Sequence, residues 1–182
     1  MEKFRPIKRW GQNFLKDKNI VTKIIEIAGL NKDDSVLEIG PGRGILTEVL
    51  AETAADVVAV EIDKKLAAAL TERFAGCKNV KIIQADFLKI DLADLCLKQG
   101  TKVIANLPYY ITTPIIMKLL RERRNITRLV VMVQKEVAQR IAAGSGNKNY
   151  GVLSLAVQFF SEVTLAGNIS NKVFFPEPKV SS

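Results

Sequence analysis

The residues best suited to chemistry are the run Asn106-Leu107-Pro108-Tyr109, which directly follows the apolar stretch Val103-Ile104-Ala105. The exocyclic nitrogen of an adenine is a poor nucleophile because its lone pair is delocalised into the ring. A protein that transfers a methyl group to it must hold both N–H groups with acceptors that draw the lone pair out of conjugation. A side-chain amide oxygen and a nearby backbone carbonyl do that, and Asn106 supplies the amide. Pro108 stiffens the turn so that carbonyls point one way, and Tyr109 offers a ring on which an extruded base can stack. Taken alone, these four residues read first as a turn that ends a buried strand, and other motifs must reverse that balance.

Three further features favour a nucleoside ligand. Glu38-Ile39-Gly40-Pro41-Gly42-Arg43-Gly44 follows an apolar run and precedes a helical one. Alternate glycines let a backbone turn sharply and approach a ligand closely, and the helix start beyond favours a carboxylate. The loop departs from the dinucleotide pattern G-x-G-x-x-G, because its third glycine comes one residue early and a proline sits inside the turn. Glu61 ends the next strand about twenty residues on, where a carboxylate accepts from both ribose hydroxyls. Asp86, after a third strand, is placed to accept from an adenine amino group, with Phe87 against the ring. Each has a bland alternative: a tight turn, a solvated strand end, a turn cap. Their order at the same end of three successive strands favours the ligand.

These groups need elements to position them. Asp17 caps a helix with apolar residues Ile20, Ile24, Ile27 and Ala28, stopped by Gly29. Strands are predicted at Ser35–Ile39, Asp56–Glu61, Val80–Gln84, Lys102–Asn106, Leu129–Val133 and Glu162–Ile169. Helices are predicted at Ile45–Ala54, Lys64–Phe74 capped by Asp63, Thr113–Glu122 with Pro114 near its start, Lys135–Ala142 and Val152–Phe160. A glycine-rich polar loop, Gly144 to Asn149, separates the last two helices. Short strands alternating with helices predict an α/β fold of Rossmann-like type, with a mostly parallel central sheet, helices on both faces, and ligands at the carboxyl ends of the strands.

Composition narrows the chemistry. The 182 residues are 48% hydrophobic and 25% charged, enough for one domain with a full core and without a stretch approaching a membrane span. No histidine is present, which excludes His-dependent acid–base and triad chemistry, and the reaction must need little help with protons. Cys77 and Cys96 are distant from one another and favour neither a zinc site nor a disulfide framework. The charged N-terminus lacks the pattern of a signal peptide, so a cytoplasmic location is expected. A net charge of +8 points to a polyanionic partner, with nucleic acid foremost. Basic residues crowd two regions, Lys3 to Lys18 and Arg121 to Arg128.

With these residues in order, the chain resembles the ribosomal RNA adenine dimethyltransferases, a family that spans small-subunit enzymes and erythromycin-resistance methyltransferases. The resemblance is carried by Gly11-Gln12-Asn13-Phe14-Leu15, the Glu38–Gly44 loop, Glu61, Asp86-Phe87, Asn106-Leu107-Pro108-Tyr109 and Phe174-Phe175-Pro176-Glu177-Pro178-Lys179-Val180. It implies an S-adenosylmethionine-dependent methyltransferase with S-adenosylhomocysteine as product. It assigns Asn13 and Leu15 to closing over the cofactor, Gly40 and Gly42 to its methionine part, Glu61 with Ile62 to the ribose, and Asp86 with Phe87 to the adenine. Asn106 and the carbonyl of Leu107 would hold the target amine, Tyr109 would stack on the flipped base, and Phe174 would form the opposite wall.

The lead Lys8-Arg9-Trp10-Gly11 resembles the small-subunit branch, which dimethylates two adjacent adenines of small-subunit ribosomal RNA. The expected partner is therefore the small ribosomal subunit, with no metal, no membrane and a monomeric chain. The resemblance also implies a last strand and a small helical domain beyond the Pro176–Val180 motif, so residues 1–182 are expected to be the catalytic domain, with weak or less selective RNA modification. Three alternatives remain open: a large-subunit adenine methyltransferase of the resistance type, a DNA adenine methyltransferase, and a non-catalytic ribosome-assembly factor. Leu107 in place of a first proline and the Phe174 motif argue against the DNA enzyme.

Overall fold

The computed structural model describes residues 13–178 and 181–182. Lys3, Arg5, Lys8, Arg9, Trp10, Gly11, Gln12, Lys179 and Val180, which carried parts of the sequence argument, lie outside the described residues. In chain order the elements are β1 (Phe14–Leu15), α1 (Lys18–Ala28), β2 (Ser35–Ile39), α2 (Ile45–Thr53), β3 (Asp56–Glu61), α3 (Lys64–Arg73) and β4 (Val80–Gln84). They continue with β5 (Thr101–Asn106), α4 (Thr112–Arg121), β6 (Ile126–Met132), α5 (Lys135–Ile141), α6 (Val152–Phe160) and β7 (Phe174–Phe175).

Five strands form one sheet in the order β4-β3-β2-β5-β6, and every neighbouring pair is parallel. Parallel strands buried on both faces must be apolar on both, and β2 and β5 have that character. Along β2, Leu37 and Ile39 join one core cluster while Val36 joins the other, following the period of two that separates the faces of a strand. The first cluster lies under α4, α5 and α6, and the second lies under α1 and α2. Burial of each such Leu, Ile or Val contributes about 2 kcal/mol.

The helix boundaries follow the predicted caps. Asp17 accepts from the Asn19 amide, Asp63 accepts from the amides of Lys65 and Leu66, and Gly29 closes α1 in the left-handed conformation. Helix α4 starts at Thr112, so Pro114 sits inside its first turn, where a missing N–H costs no intrahelical bond. Strand β6 begins at Ile126, earlier than its apolar part suggested, because pairing with β5 extends to Thr101.

The strand expected over Glu162–Ile169 does not form. Most of that stretch is exposed, and among the described residues Ile169 exchanges backbone hydrogen bonds with Ser182 alone. A strand without a ladder partner has no backbone bonds to hold it. A separate two-stranded pair was missed instead: β1 and β7 run antiparallel, with Phe14 opposite Phe175 and Leu15 opposite Phe174.

Gly44 precedes α2 at φ +77°, and a Cβ there would lie 2.6 Å from Leu70 Cδ2. Gly44→Ala should therefore destabilise the chain by about 1–3 kcal/mol. Thermal unfolding followed by circular dichroism should show a Tm lower by roughly 2–10 °C, and an unchanged Tm would contradict the strain at this turn.

Candidate active site

The connections after β2 and β5 leave the sheet toward opposite faces, since α2 packs in one core cluster and α4 in the other. A crevice opens at such a reversal, outside the carboxyl ends of the strands. It is lined by Asn13, Leu15, Gly40, Gly42, Glu61, Ile62, Asp86, Phe87, Asn106, Leu107, Pro108 and Tyr109. Every residue singled out from the sequence for this site is thus brought together, with the exception of Phe174.

Asn106 ends β5 and donates through Nδ2 to the carbonyl of Asn13 at 3.0 Å. That bond orients the amide and leaves Oδ1, which accepts from no group among the described residues, as its open acceptor. The next acceptor along the chain is the carbonyl of Leu107, which likewise receives no backbone bond among the described residues. The Leu107 amide donates to Met132 of β6 at 3.1 Å, and the Pro108 carbonyl accepts from Ile111 and from the Thr112 hydroxyl. The turn is therefore pinned on both sides while its two acceptors stay available. Tyr109, half-buried beside them, shares a 2.7 Å hydrogen bond with Ser182, and burial raises its phenol pKa.

Glu61 ties two strand tips together. Its Oε2 accepts from the Gly42 amide at 3.0 Å and its Oε1 from the Asp63 amide at 2.9 Å. Each oxygen keeps a lone pair for a ligand hydroxyl. Burial raises the Glu61 pKa, opposed by these backbone bonds. Asp86 lines the cleft and caps the turn that follows: Oδ1 accepts from the Leu88 amide at 3.0 Å, and Oδ2 stands 4.0 Å from Lys89 Nζ. Phe87 is 5% exposed and meets both cleft and core.

The glycine loop fits a close ligand. Gly40 has φ +69°, and a Cβ there would meet no atom within 4 Å, so the space above it is open. Gly42, at φ +60°, lies against Phe14, whose Cδ1 would sit 2.8 Å from an added Cβ. A bulkier residue at either position would intrude on the cleft or its wall.

Phe174 corrects the sequence reading. It is 1% exposed and packs in the cluster of Leu15, Val21 and Met132, behind the cleft wall and not in it. Pairing with β1 decides this: Phe174 faces the same side as Leu15, which is core, while Phe175 turns outward. Two arginines of the basic run Arg121 to Arg128 hold helix ends. Arg128 donates to the carbonyls of Ile27 and Ala28 at the end of α1, and Arg123 donates to Leu120 at the end of α4 and lies over the Phe160 ring. These cations stand near the amino ends of the strands, away from the cleft, and help close helix ends.

Sequence reasoning assigned no role to three polar side chains of the cleft. Tyr110 lines it at 50% exposure, and Arg43 lines its mouth. Glu38, within the apolar strand Val36-Leu37-Glu38-Ile39, is 1% exposed and accepts from the Thr47 hydroxyl at 2.7 Å. Burial raises its pKa to about 8, Thr47 opposes the shift, and the charge of Glu61 adds to it. A carboxyl inside an otherwise apolar strand is the signal that marks it in the sequence.

Among the described residues, no group of three or more Cys, Asp or Glu is arranged to hold a metal ion, and no helix is long and apolar enough to cross a membrane. The parallel sheet, the glycine loop at its point of reversal and the carboxylate on the next strand tip define the Rossmann-like fold of the S-adenosylmethionine-dependent methyltransferases. Within that class, the chain belongs to the ribosomal RNA adenine dimethylase family, whose family model matches residues 2–182.

A protein of Alkaliphilus metalliredigens named ribosomal RNA small subunit methyltransferase A is 49% identical over 99% of this chain and 64% of its own length. The protein of the same name from Geobacillus thermodenitrificans is 49% identical over 96% of this chain and 61% of its own length. The chain thus spans about three fifths of the curated relatives it matches. Among solved structures, a dimethyladenosine transferase from Plasmodium falciparum superposes with TM-score 0.83 at 35% identity, covering 92% of this chain and 60% of that one. The 23S rRNA methyltransferase ErmE superposes with TM-score 0.75 at 32% identity, covering 93% of this chain and 66% of its own.

Glu38 makes stability depend on pH. Its carboxyl ionises near the ordinary value of 4.5 in the unfolded chain but near 8 in the folded one, so folding loses stability as pH rises between those values. Glu38→Gln keeps an acceptor for Thr47 and removes this loss. Its stability relative to wild type should grow by about 1 kcal/mol per pH unit from pH ~5 to ~8, read from urea unfolding at several pH values. A difference independent of pH would show that Glu38 is charged in the folded chain.

Proposed function

We propose that residues 1–182 form the catalytic domain of an enzyme that transfers methyl groups from S-adenosylmethionine to the exocyclic amine of two adjacent adenines in small-subunit ribosomal RNA, giving N6,N6-dimethyladenosine. The observation that carries this reading is the pair of open acceptors, Asn106 Oδ1 and the Leu107 carbonyl, on one pinned turn at the cleft. Two acceptors at one turn match the two N–H groups of an adenine amine, and holding both localises the nitrogen lone pair for attack.

The remaining residues divide the work. Glu61 holds the ribose through the lone pairs that its backbone bonds leave, and Ile62 follows it along the same wall. Asp86 accepts from the cofactor adenine, with Phe87 beside the ring; Gly40 and Gly42 leave room for the methionine part, and Asn13 and Leu15 close the opposite side. Tyr109, held by its hydrogen bond to Ser182, presents a stacking face for the flipped base. In this arrangement Phe174 supports the site from the core, by holding β1 in place.

When bound, S-adenosylmethionine supplies a sulfonium methyl that is already an activated electrophile. Alignment by Asn106 and the Leu107 carbonyl then supplies much of the rate, and no histidine or metal is called for. Glu61 and Asp86 give the cleft a negative character that favours a cationic ligand over the uncharged thioether of S-adenosylhomocysteine.

The small-subunit assignment is supported by the names of relatives 49% identical, against 32% for the large-subunit enzyme ErmE. An enzyme that acts on small ribosomal subunits works in the cytoplasm, where ribosomes are assembled.

Methyl incorporation from labelled cofactor into undermethylated small subunits, followed by mapping of the modified nucleotides, tests this function. Incorporation into duplex DNA or large subunits instead would overturn it. Asn106→Ala should lower turnover by at least ~100-fold while cofactor affinity by calorimetry changes by no more than about 5-fold, the cost of the lost bond to Asn13. Retained turnover would remove Asn106 from the chemistry.

A further inference from the structure

The Arg43 side chain lies at the mouth of the cleft, with Cζ 5.0 Å from the centre of the Phe14 ring and 5.4 Å from that of Phe175. Phe14 and Phe175 are opposed across the β1–β7 pair, and the two rings differ in burial: Phe14 is 7% exposed, Phe175 49%. We propose that Arg43 and Phe175, backed by Phe14, form a clamp for the nucleotide next to the everted adenine, with Phe175 stacking on its base and Arg43 contacting the connecting phosphate. This rests on the reading of the cleft as an adenine-modifying site.

Three observations converge on the clamp. First, the cleft walls carry Glu61 and Asp86, which repel a polyanion, so a nucleotide entering from RNA needs a cation at the rim. Among the described residues, Arg43 is the cation that lines it. Second, the guanidinium is preorganised. The backbone of Arg43 sits between Gly42 and Gly44, both at positive φ, and its carbonyl accepts from Arg73 at 3.0 Å. A planar cation held against aromatic faces loses little freedom when it meets a phosphate. Third, a half-exposed phenylalanine beside a cleft offers a face to unstacked bases, which is how single-stranded RNA is generally held. The same strand pair continues away from the cleft, where Lys16 donates its backbone N–H to Val173 at 2.9 Å and exposed Lys16 and Lys172 extend the positive track.

Fluorescence anisotropy with a short labelled single-stranded RNA carrying two adjacent adenines tests the clamp directly, alongside calorimetry with S-adenosylmethionine. Phe175→Ala should weaken RNA binding about 10-fold with the same salt dependence, and Phe175→Trp should retain it. Arg43→Gln should weaken RNA binding and reduce the slope of log affinity against log salt by about 0.7, and Arg43→Lys should restore the slope. Unchanged RNA affinity and slope in Phe175→Ala and Arg43→Gln, or no salt-dependent RNA binding by the parent chain, would overturn the clamp. So would an equal loss of cofactor affinity in Arg43→Gln, which would assign the guanidinium to the cofactor carboxylate. Failure of the methyl-transfer reading looks different: no methyl incorporation by the parent chain, with clamp-dependent RNA binding intact.

Discussion

The chain leaves β2 toward one face of the sheet and leaves the adjacent β5 toward the other, so a gap opens above their carboxyl ends. The site depends on this divergence. It arises because α2 and α4 each have an apolar face that must be buried and the two faces of the sheet provide separate cores. What remains between them is a crevice with strand tips for a floor. Residues at those tips are held by the sheet ladder, so the backbones of Asn106 and Glu61 inherit its rigidity, and bonds with Asn13, Gly42 and Asp63 fix their side chains.

The cleft is also a place where stability is given up. Glu38 and Glu61 are both carboxyl groups with little access to water, and burial disfavours the ionised form of each. Glu61 is compensated by two backbone N–H groups, whereas Glu38 has the hydroxyl of Thr47. The asymmetry sets their states apart: a neutral Glu38 lies under a glycine loop, and Glu61 beside it is better able to carry charge. Pairs of carboxyls pushed apart in this way recur at functional sites.

Much of the fold was legible because the relevant signals are local. Asp17, Asp63 and Gly29 mark helix ends through contacts within a few residues, and the apolar runs of β2, β3 and β5 mark largely buried parallel strands. The failures share a cause. Glu162–Ile169 has the composition of a strand, but a strand is defined by its partner, and among the described residues Ile169 alone found one, in Ser182. The β1–β7 pair joins segments far apart in the chain, and two residues on each side carry no periodicity to read. Among the crowded arginines near β6, Arg128 and Arg123 have partners that the sequence did not indicate, the carbonyls of helix ends.

By itself the sequence determined which chemistry was available: acceptors for an amine at Asn106-Leu107, a carboxylate for a ribose at Glu61, a glycine loop that admits a ligand, and no histidine to move protons. These are properties of residue type and of order along the chain, and they survive any arrangement that keeps strand tips together. Only the tertiary structure decided which way those groups point. The Asn106 amide is oriented by a carbonyl 93 residues away, Tyr109 by a hydroxyl 73 residues away, and the choice between Phe174 and Phe175 as the outward ring by pairing with Phe14-Leu15. Orientation depends on partners brought together by folding, and residue type and local spacing do not specify those partners.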